Sequence, residues 1–229
     1  MSNQWLYIKN ASPADGLALA TVLSCSKEDW NVIHSSIHSC FIRNLQNVTI
    51  GHPDEGSEII TLEMNASSFN ERCNCIASQL DIPTRQDWTA TIFFKELDNE
   101  LEVRLRSYIN VILLYCVPTP GEHINLMMID QALRYLAQDK YMTVDANSSM
   151  LPNIKGTKDY RGLIDVETIV RNKSIISTVI TTEPWMTEIC SAYGIKCCTI
   201  SGTGNAIILD GITIDHPLQL ANYIQNVIK

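Results

Sequence analysis

The chain has 229 residues, a length that fits one large α/β domain or two smaller ones, and its 45% apolar and 18% charged residues describe a folded rather than a disordered protein. A net charge of −8 excludes a nucleic-acid binder that works mainly through phosphate contacts, because that footprint is a basic patch or stripe. No basic leader with an apolar core opens the chain, and no apolar run reaches the roughly 18 residues that span a bilayer, so a soluble, cytoplasmic protein without an integral membrane segment is expected.

In chain order, the apolar run Leu6 to Lys9 predicts a strand, a loop follows at Asn10 to Asp15, and Gly16 to Leu23 has the spacing and residue types of a helix. Strands at Asn31 to His34, Val48 to Ile50 and Glu58 to Met64 then alternate with helices at Ser39 to Leu45 and Ser68 to Leu80. Thr89 to Phe94 alternates in polarity, and Lys95 to Arg106 mixes both charge signs and reads as a solvated linker. A second series begins at Ile109 to Val117, whose almost unbroken apolar character is that of a central strand covered on both faces.

Helix Asn125 to Ala137, strand Tyr141 to Asp145, helix Asp165 to Arg171, strand Ile175 to Thr181, helix Pro184 to Tyr193, strands Lys196 to Ser201 and Ala206 to Leu209, and a closing helix His216 to Ile228 complete it. Strands alternating with helices predict parallel sheets, here in two Rossmann-like halves, residues 1–106 and 107–229, facing a cleft.

Eight cysteines suggest a disulfide framework until their positions are read. Cys40, Cys116, Cys190, Cys197 and Cys198 lie inside apolar runs and read as small core hydrophobes. Cys73 and Cys75 have no His or Cys partner at zinc-ligand spacing, and His34, His38 and His123 have no second ligand near in sequence, so no metal site is expected.

The stretches Asp159 to Val170 and Ser177 to Gly202 resemble the C-terminal half of the heptosyltransferases, glycosyltransferase family 9. Gly162 matches the glycine before a helix, Glu183 the acidic residue after an apolar strand, Cys190-Ser191-Ala192 the small residues of the next helix, Gly194 its end, and Gly202 the glycine after the following strand. Ala14-Asp15-Gly16 after the first strand is similar to the family's Gly-Asp loop. Where the family carries a small residue and a histidine, this chain has Trp185-Met186-Thr187-Glu188.

That resemblance implies a GT-B fold with an N-terminal acceptor-side half and a C-terminal donor half. It also implies a glycosyltransferase that moves a sugar from a nucleotide-sugar donor to an acceptor hydroxyl, inverting and metal-independent, with no cofactor beyond that co-substrate. The acceptor class is open: a glycan, a lipid-linked sugar or a modified nucleic-acid base. Asp15 takes the base position that the resemblance implies.

The residues themselves carry alternatives. The free amides at Pro184 to Thr187, with Trp185 and Met186 between them, form a helix N-terminus suited to phosphate, and Pro184 suits a first turn. Glu183 reads either as a cap or as an acceptor for ribose or sugar hydroxyls, Trp185 as a stacking surface or an obstruction, and Asp15 as a general base or a helix cap. The Pro118-Thr119-Pro120-Gly121 turn and the Ser201-Gly202-Thr203-Gly204 loop offer further amides and hydroxyls for a donor phosphate. The rivals are a non-catalytic sugar-nucleotide-binding module, a virus-encoded transferase acting on a DNA base, and a nucleotide-sugar epimerase.

Overall fold

A computed structural model describes residues 4–9, 11–34, 39–92, 94–95, 97–118, 124–136, 140–203, 206–209 and 211–229. They form two compact units, Met1–Phe94 and Lys95–Lys229. In the first, β1 (Gln4–Ile8), β2 (Trp30–Ile33), β3 (Val48–Gly51) and β4 (Glu58–Leu62) make a sheet in the order β3-β2-β1-β4. Every pairing in it is parallel. Helices α1 (Pro13–Ser24), α2 (Ser39–Ile42) and α3 (Phe69–Gln79) connect the strands or follow them.

Helix α1 is apolar on all sides and buried from Ala14 to Leu23, as a helix of Ala, Leu and Val must be when it is covered on every face. It packs against α2 and α3. Thr89 to Phe94 is not strand among its described residues, although its alternation is real: Trp88, Ala90 and Ile92 are buried.

The second unit begins at α4 (Glu100–Arg106), where the sequence suggested a solvated linker and a boundary after Arg106. The helix belongs to this unit because Glu102 is completely buried and pairs with Arg171, at 2.8 Å, and with Asn172. A mixed-sign segment hides such a helix, since only the tertiary partner turns one of its carboxylates inward.

The remaining elements are β5 (Val111–Tyr115), α5 (Leu126–Tyr135), β6 (Met142–Asp145), β7 (Lys158–Asp159), α6 (Val166–Arg171), β8 (Ile176–Thr181), α7 (Pro184–Tyr193), β9 (Cys197–Thr203), β10 (Ala206–Leu209), β11 (Ile212–Ile214) and α8 (Pro217–Ile228). Their sheet runs β11-β10-β9-β8-β5-β6-β7. It is parallel from β9 to β7 and antiparallel at the β9-β10-β11 edge. The short strands β7 and β11 carry too few residues for a periodic signal.

Strand β5 is central and buried from Val111 to Leu114, and α5 and α8 close one core over the sheet with Ile112, Leu114, Ile180 and Ile200. Helix α7 is bracketed by Pro184 in its first turn and by Gly194, whose φ of 71° is the left-handed conformation that ends a helix most easily at glycine.

Candidate functional site

In each unit the strand order reverses beside the first strand. The chain places β6 on one side of β5 and β8 on the other, and likewise β2 and β4 on either side of β1. Ligands of open α/β sheets bind outside the carboxyl ends of the strands at such points.

At the carboxyl ends of β5 and β8, polar residues tie adjoining segments together. The Val117 amide donates to Thr182 Oγ1 at 2.9 Å, and that hydroxyl donates back to the Val117 carbonyl at 3.2 Å. The Cys116 amide donates to Asn147 Oδ1 at 2.7 Å, joining the end of β5 to the segment after β6. Asn147 is fully buried, and its amide nitrogen Nδ2 has no hydrogen-bond partner.

Glu183 holds the N-cap position of α7 but makes no side-chain cap bond. Its carboxylate instead accepts from the indole Nε1 of Trp185 at 2.6 Å, and its own amide donates to Thr181 Oγ1. The Trp185 ring meets Tyr115 edge-on, with centroids 6.0 Å apart and planes at 80°. Burial, reinforced by the charges of Glu183 and Asp165, holds the Tyr115 phenol above its usual range. Burial also raises Asp145, although backbone amides of Ile154 and Asn147 oppose it. This end of the sheet therefore presents a first helical turn whose cap residue is occupied elsewhere, an anchored indole, and hydroxyl and amide groups on both sides of the reversal.

The other expected donor contacts fall differently. Pro184 is exposed at the start of α7. Met186 is a core residue with no exposed surface, and its amide bonds to the Glu183 carbonyl, so its side chain is not a ligand contact. Thr187 turns toward β9, where its hydroxyl bonds Thr199. Ser201, Gly202 and Thr203 are not a loop: they extend β9 and pair with Ile208, Ile207 and Ala206 of β10. A Ser-Gly-Thr-Gly string reads as a turn locally, and the antiparallel neighbour overrides that preference. Thr119 and Gly121 lie outside the described residues.

At the reversal in the first unit, Ser12 caps α1 and forms a capping box with Asp15. Asp15 is 3% exposed. Its Oδ2 accepts from the Ser12 amide and hydroxyl, and its Oδ1 from Arg72 at 2.5 Å. The sequence suggested Asp15 as the cap of a helix beginning at Gly16; the helix instead begins at Pro13, Ser12 is its cap, and Asp15 reaches back from the third position, with an ion pair that no local pattern foretold.

Residues His34 and His52 follow the registered ends of β2 and β3, and their rings lie 6.2 Å apart. His34 looked solitary in sequence; strand register makes His52 its neighbour. Among the described residues, no group of three or more His, Cys, Asp or Glu is arranged to hold a metal ion. A hollow of about 200 Å³ in the second unit lies elsewhere, between α5 and the start of β6, lined by Asp130, Arg134, Tyr141 and Lys155 among others.

No protein-family model and no curated protein matches this sequence. Solved structures do. The E. coli heptosyltransferase WaaC with ADP is 8% identical at a TM-score of 0.58, over 85% of this chain and 86% of that one. The E. coli ADP-heptose LPS heptosyltransferase II is 9% identical at 0.59, over 100% of this chain and 98% of that one. The iron-containing dodecameric glycosyltransferase TibC from enterotoxigenic E. coli is 12% identical at 0.51, and there this chain covers 58% of the other's length.

The chain has the heptosyltransferase fold. The α/β class and the two parallel-rich units expected from sequence agree with that fold. Among the described residues, no helix is long and apolar enough to cross a membrane.

Proposed function

We propose that this protein is a glycosyltransferase that binds a nucleotide-sugar donor at the carboxyl ends of β5 and β8. One observation carries the reading beyond fold: the strand-order reversal coincides with the first turn of α7, whose cap residue Glu183 makes no side-chain cap bond and holds Trp185 instead. The positive end of the helix suits a diphosphate, and it suits better the charge that grows on it as the glycosidic bond breaks; Pro184 has no N–H and the Met186 amide is bonded to the Glu183 carbonyl, so the attraction is chiefly that of the dipole. Glu183 retains acceptor capacity for ribose or sugar hydroxyls, and Trp185 offers a ring face for stacking.

Because the solved relatives include structures with ADP and with an ADP-heptose analogue, an ADP-sugar is the first donor to test. Transfer is proposed to be inverting and independent of a metal, with Asp15 as the base for the acceptor hydroxyl, oriented by Ser12 and paired with Arg72. The test is release of ADP from an ADP-sugar, with and without added acceptor sugars. Turnover that Glu183→Ala abolishes supports the reading.

A second reading, binding of a sugar nucleotide without transfer, is favoured by one observation: both carboxylate oxygens of Asp15 are already engaged within its own unit. ADP binding without ADP release from any donor would select it.

A further inference from the structure

At the amino ends of β5 and β6, the end of the sheet opposite the proposed donor site, two hollows adjoin. One, of about 200 Å³, has Ile112 and Met142 in its lining, and the other, of about 430 Å³, lies between α5 and residues 152–155. Asp130, Arg134 and Lys155 line both. Taken together the hollows fall in the size range of small-ligand sites, roughly 300–1,000 Å³.

The polar groups around them have bonding capacity to spare. The Asp130 side chain is 19% exposed; its Oδ2 accepts from Arg134 Nη2 at 2.7 Å, while its Oδ1 is buried and has no hydrogen-bond partner. A buried carboxylate oxygen without a donor is costly, and native structures seldom leave one so. Arg134 is 59% exposed, and that carboxylate is its one partner among the described residues. Among the same residues, the Lys155 ammonium and the hydroxyls of Tyr141 and Thr143 have no partner.

These groups divide by the chemistry they call for. Lys155 and Arg134 call for an anion, Asp130 for hydroxyl donors, and Tyr141 and Thr143 offer hydroxyls that donate and accept. We infer that the two hollows form one binding site for a sugar that carries a phosphate or a carboxylate. Arg134, long and exposed, turns from Asp130 Oδ2 to the anionic group, which it shares with Lys155. The sugar hydroxyls donate to the Asp130 carboxylate in its place, and Tyr141 and Thr143 donate to the remaining sugar oxygens. An anion without hydroxyls leaves Asp130 without donors, and a neutral sugar leaves both cations without a countercharge. Affinity therefore requires both parts in one molecule. Ile112 and Tyr115 stand about 10 Å apart along β5 at the usual strand rise, so an occupant here leaves the carboxyl end of the sheet open.

This inference does not depend on the nucleotide reading. It is tested by titration calorimetry of the full chain with glucose-6-phosphate, glucuronate, glucose and inorganic phosphate, repeated in the presence of ADP. The expected result is saturable binding of glucose-6-phosphate or glucuronate, the tighter of the two naming the anionic group, with glucose and inorganic phosphate weaker by about tenfold or more. ADP leaves that affinity unchanged. Lys155 is exposed and unpaired among the described residues, so Lys155→Ala should weaken binding by about tenfold and keep the Tm of the wild type. Asp130→Asn should weaken the anionic sugar while inorganic phosphate binds as well as before or better. No saturation with either anionic sugar at millimolar concentration, equal affinity for glucose or inorganic phosphate, wild-type affinity in Lys155→Ala, or displacement by ADP would overturn the assignment.

Discussion

The indole nitrogen of Trp185 donates to the Glu183 carboxylate at 2.6 Å, and this pair leaves the first turn of α7 without a side-chain cap. If Glu183 capped the helix, its removal would cost about 1 kcal/mol of stability. It bonds the half-buried Trp185 indole instead, so Glu183→Ala loses a charge-assisted hydrogen bond and is expected to lower the unfolding free energy by about 1.5 kcal/mol. A second effect falls on ligand affinity, since a hydrogen bond to a charged group contributes about 1.5–3 kcal/mol, or about ten- to a hundredfold in Kd. Urea unfolding and ADP titration calorimetry on the same variant separate the two.

Asp15 carries two roles that substitutions divide. Asp15→Ala removes the capping box and an ion-pair partner of the part-buried Arg72 guanidinium, with an expected loss of about 1–3 kcal/mol in the stability of the first unit. Asp15→Asn preserves shape and much of the cap while removing a proton acceptor. If Asp15 is the base, Asn lowers kcat by about 10²- to 10⁴-fold and leaves the Kd for ADP unchanged. Unaltered turnover in Asp15→Asn would end that assignment.

Glu102 and Arg171 form a buried pair, each side chain 5% exposed or less, with Arg171 also bonded to Glu167. Glu102→Gln leaves Arg171 without this buried countercharge, and breaking such a pair from one side costs about 3–5 kcal/mol. Chemical unfolding should show the loss in the second unit, while the circular-dichroism transition of the first keeps its midpoint.

How much of this was legible depended on whether an element's character is local. The apolar run of β5 and the proline and glycine around α7 announce themselves, because burial on both faces and helix ends impose their own residue types. Helix α4 did not, since Glu102 is buried only by virtue of Arg171 and Asn172, far away in sequence. Ser201 to Thr203 read as a loop because glycine and small polar residues favour turns, yet β10 recruits them into a ladder. At the site, Glu183 and Trp185 were visible through their place after a strand, and their bond to each other was not. Arg72 is the clearest omission: its pairing with Asp15 arises because the α1 and α3 N-termini follow adjacent strands.

Stability should fall at alkaline pH for a specific reason. Burial pushes both the Cys73 and Cys116 thiols from 9.0 up to about 12, with nearby Cys25 and Asp145 as lesser causes. A group whose folded pKa exceeds its unfolded value stabilises fully below the unfolded pKa and loses that contribution as pH rises toward the folded one. Each thiol therefore contributes a decline of about 1.4 kcal/mol per pH unit between pH 9 and 12. Urea unfolding across pH 8 to 10.5 should show the slope, shallower in Cys116→Ala within the second unit and in Cys73→Ala within the first.

The most direct test of the central claim is a thermal-shift titration of the purified protein with nucleoside diphosphates, led by ADP, repeated on Glu183→Ala. At about 100 times the dissociation constant a ligand stabilises the folded form by about 2.7 kcal/mol. The account predicts a Tm that rises with the logarithm of the concentration of one nucleoside diphosphate, more than with its monophosphate, and a shift cut to about half or less at the same concentration in Glu183→Ala. No shift with any nucleoside diphosphate, or an equal shift in the variant, would contradict a donor site at the carboxyl ends of β5 and β8.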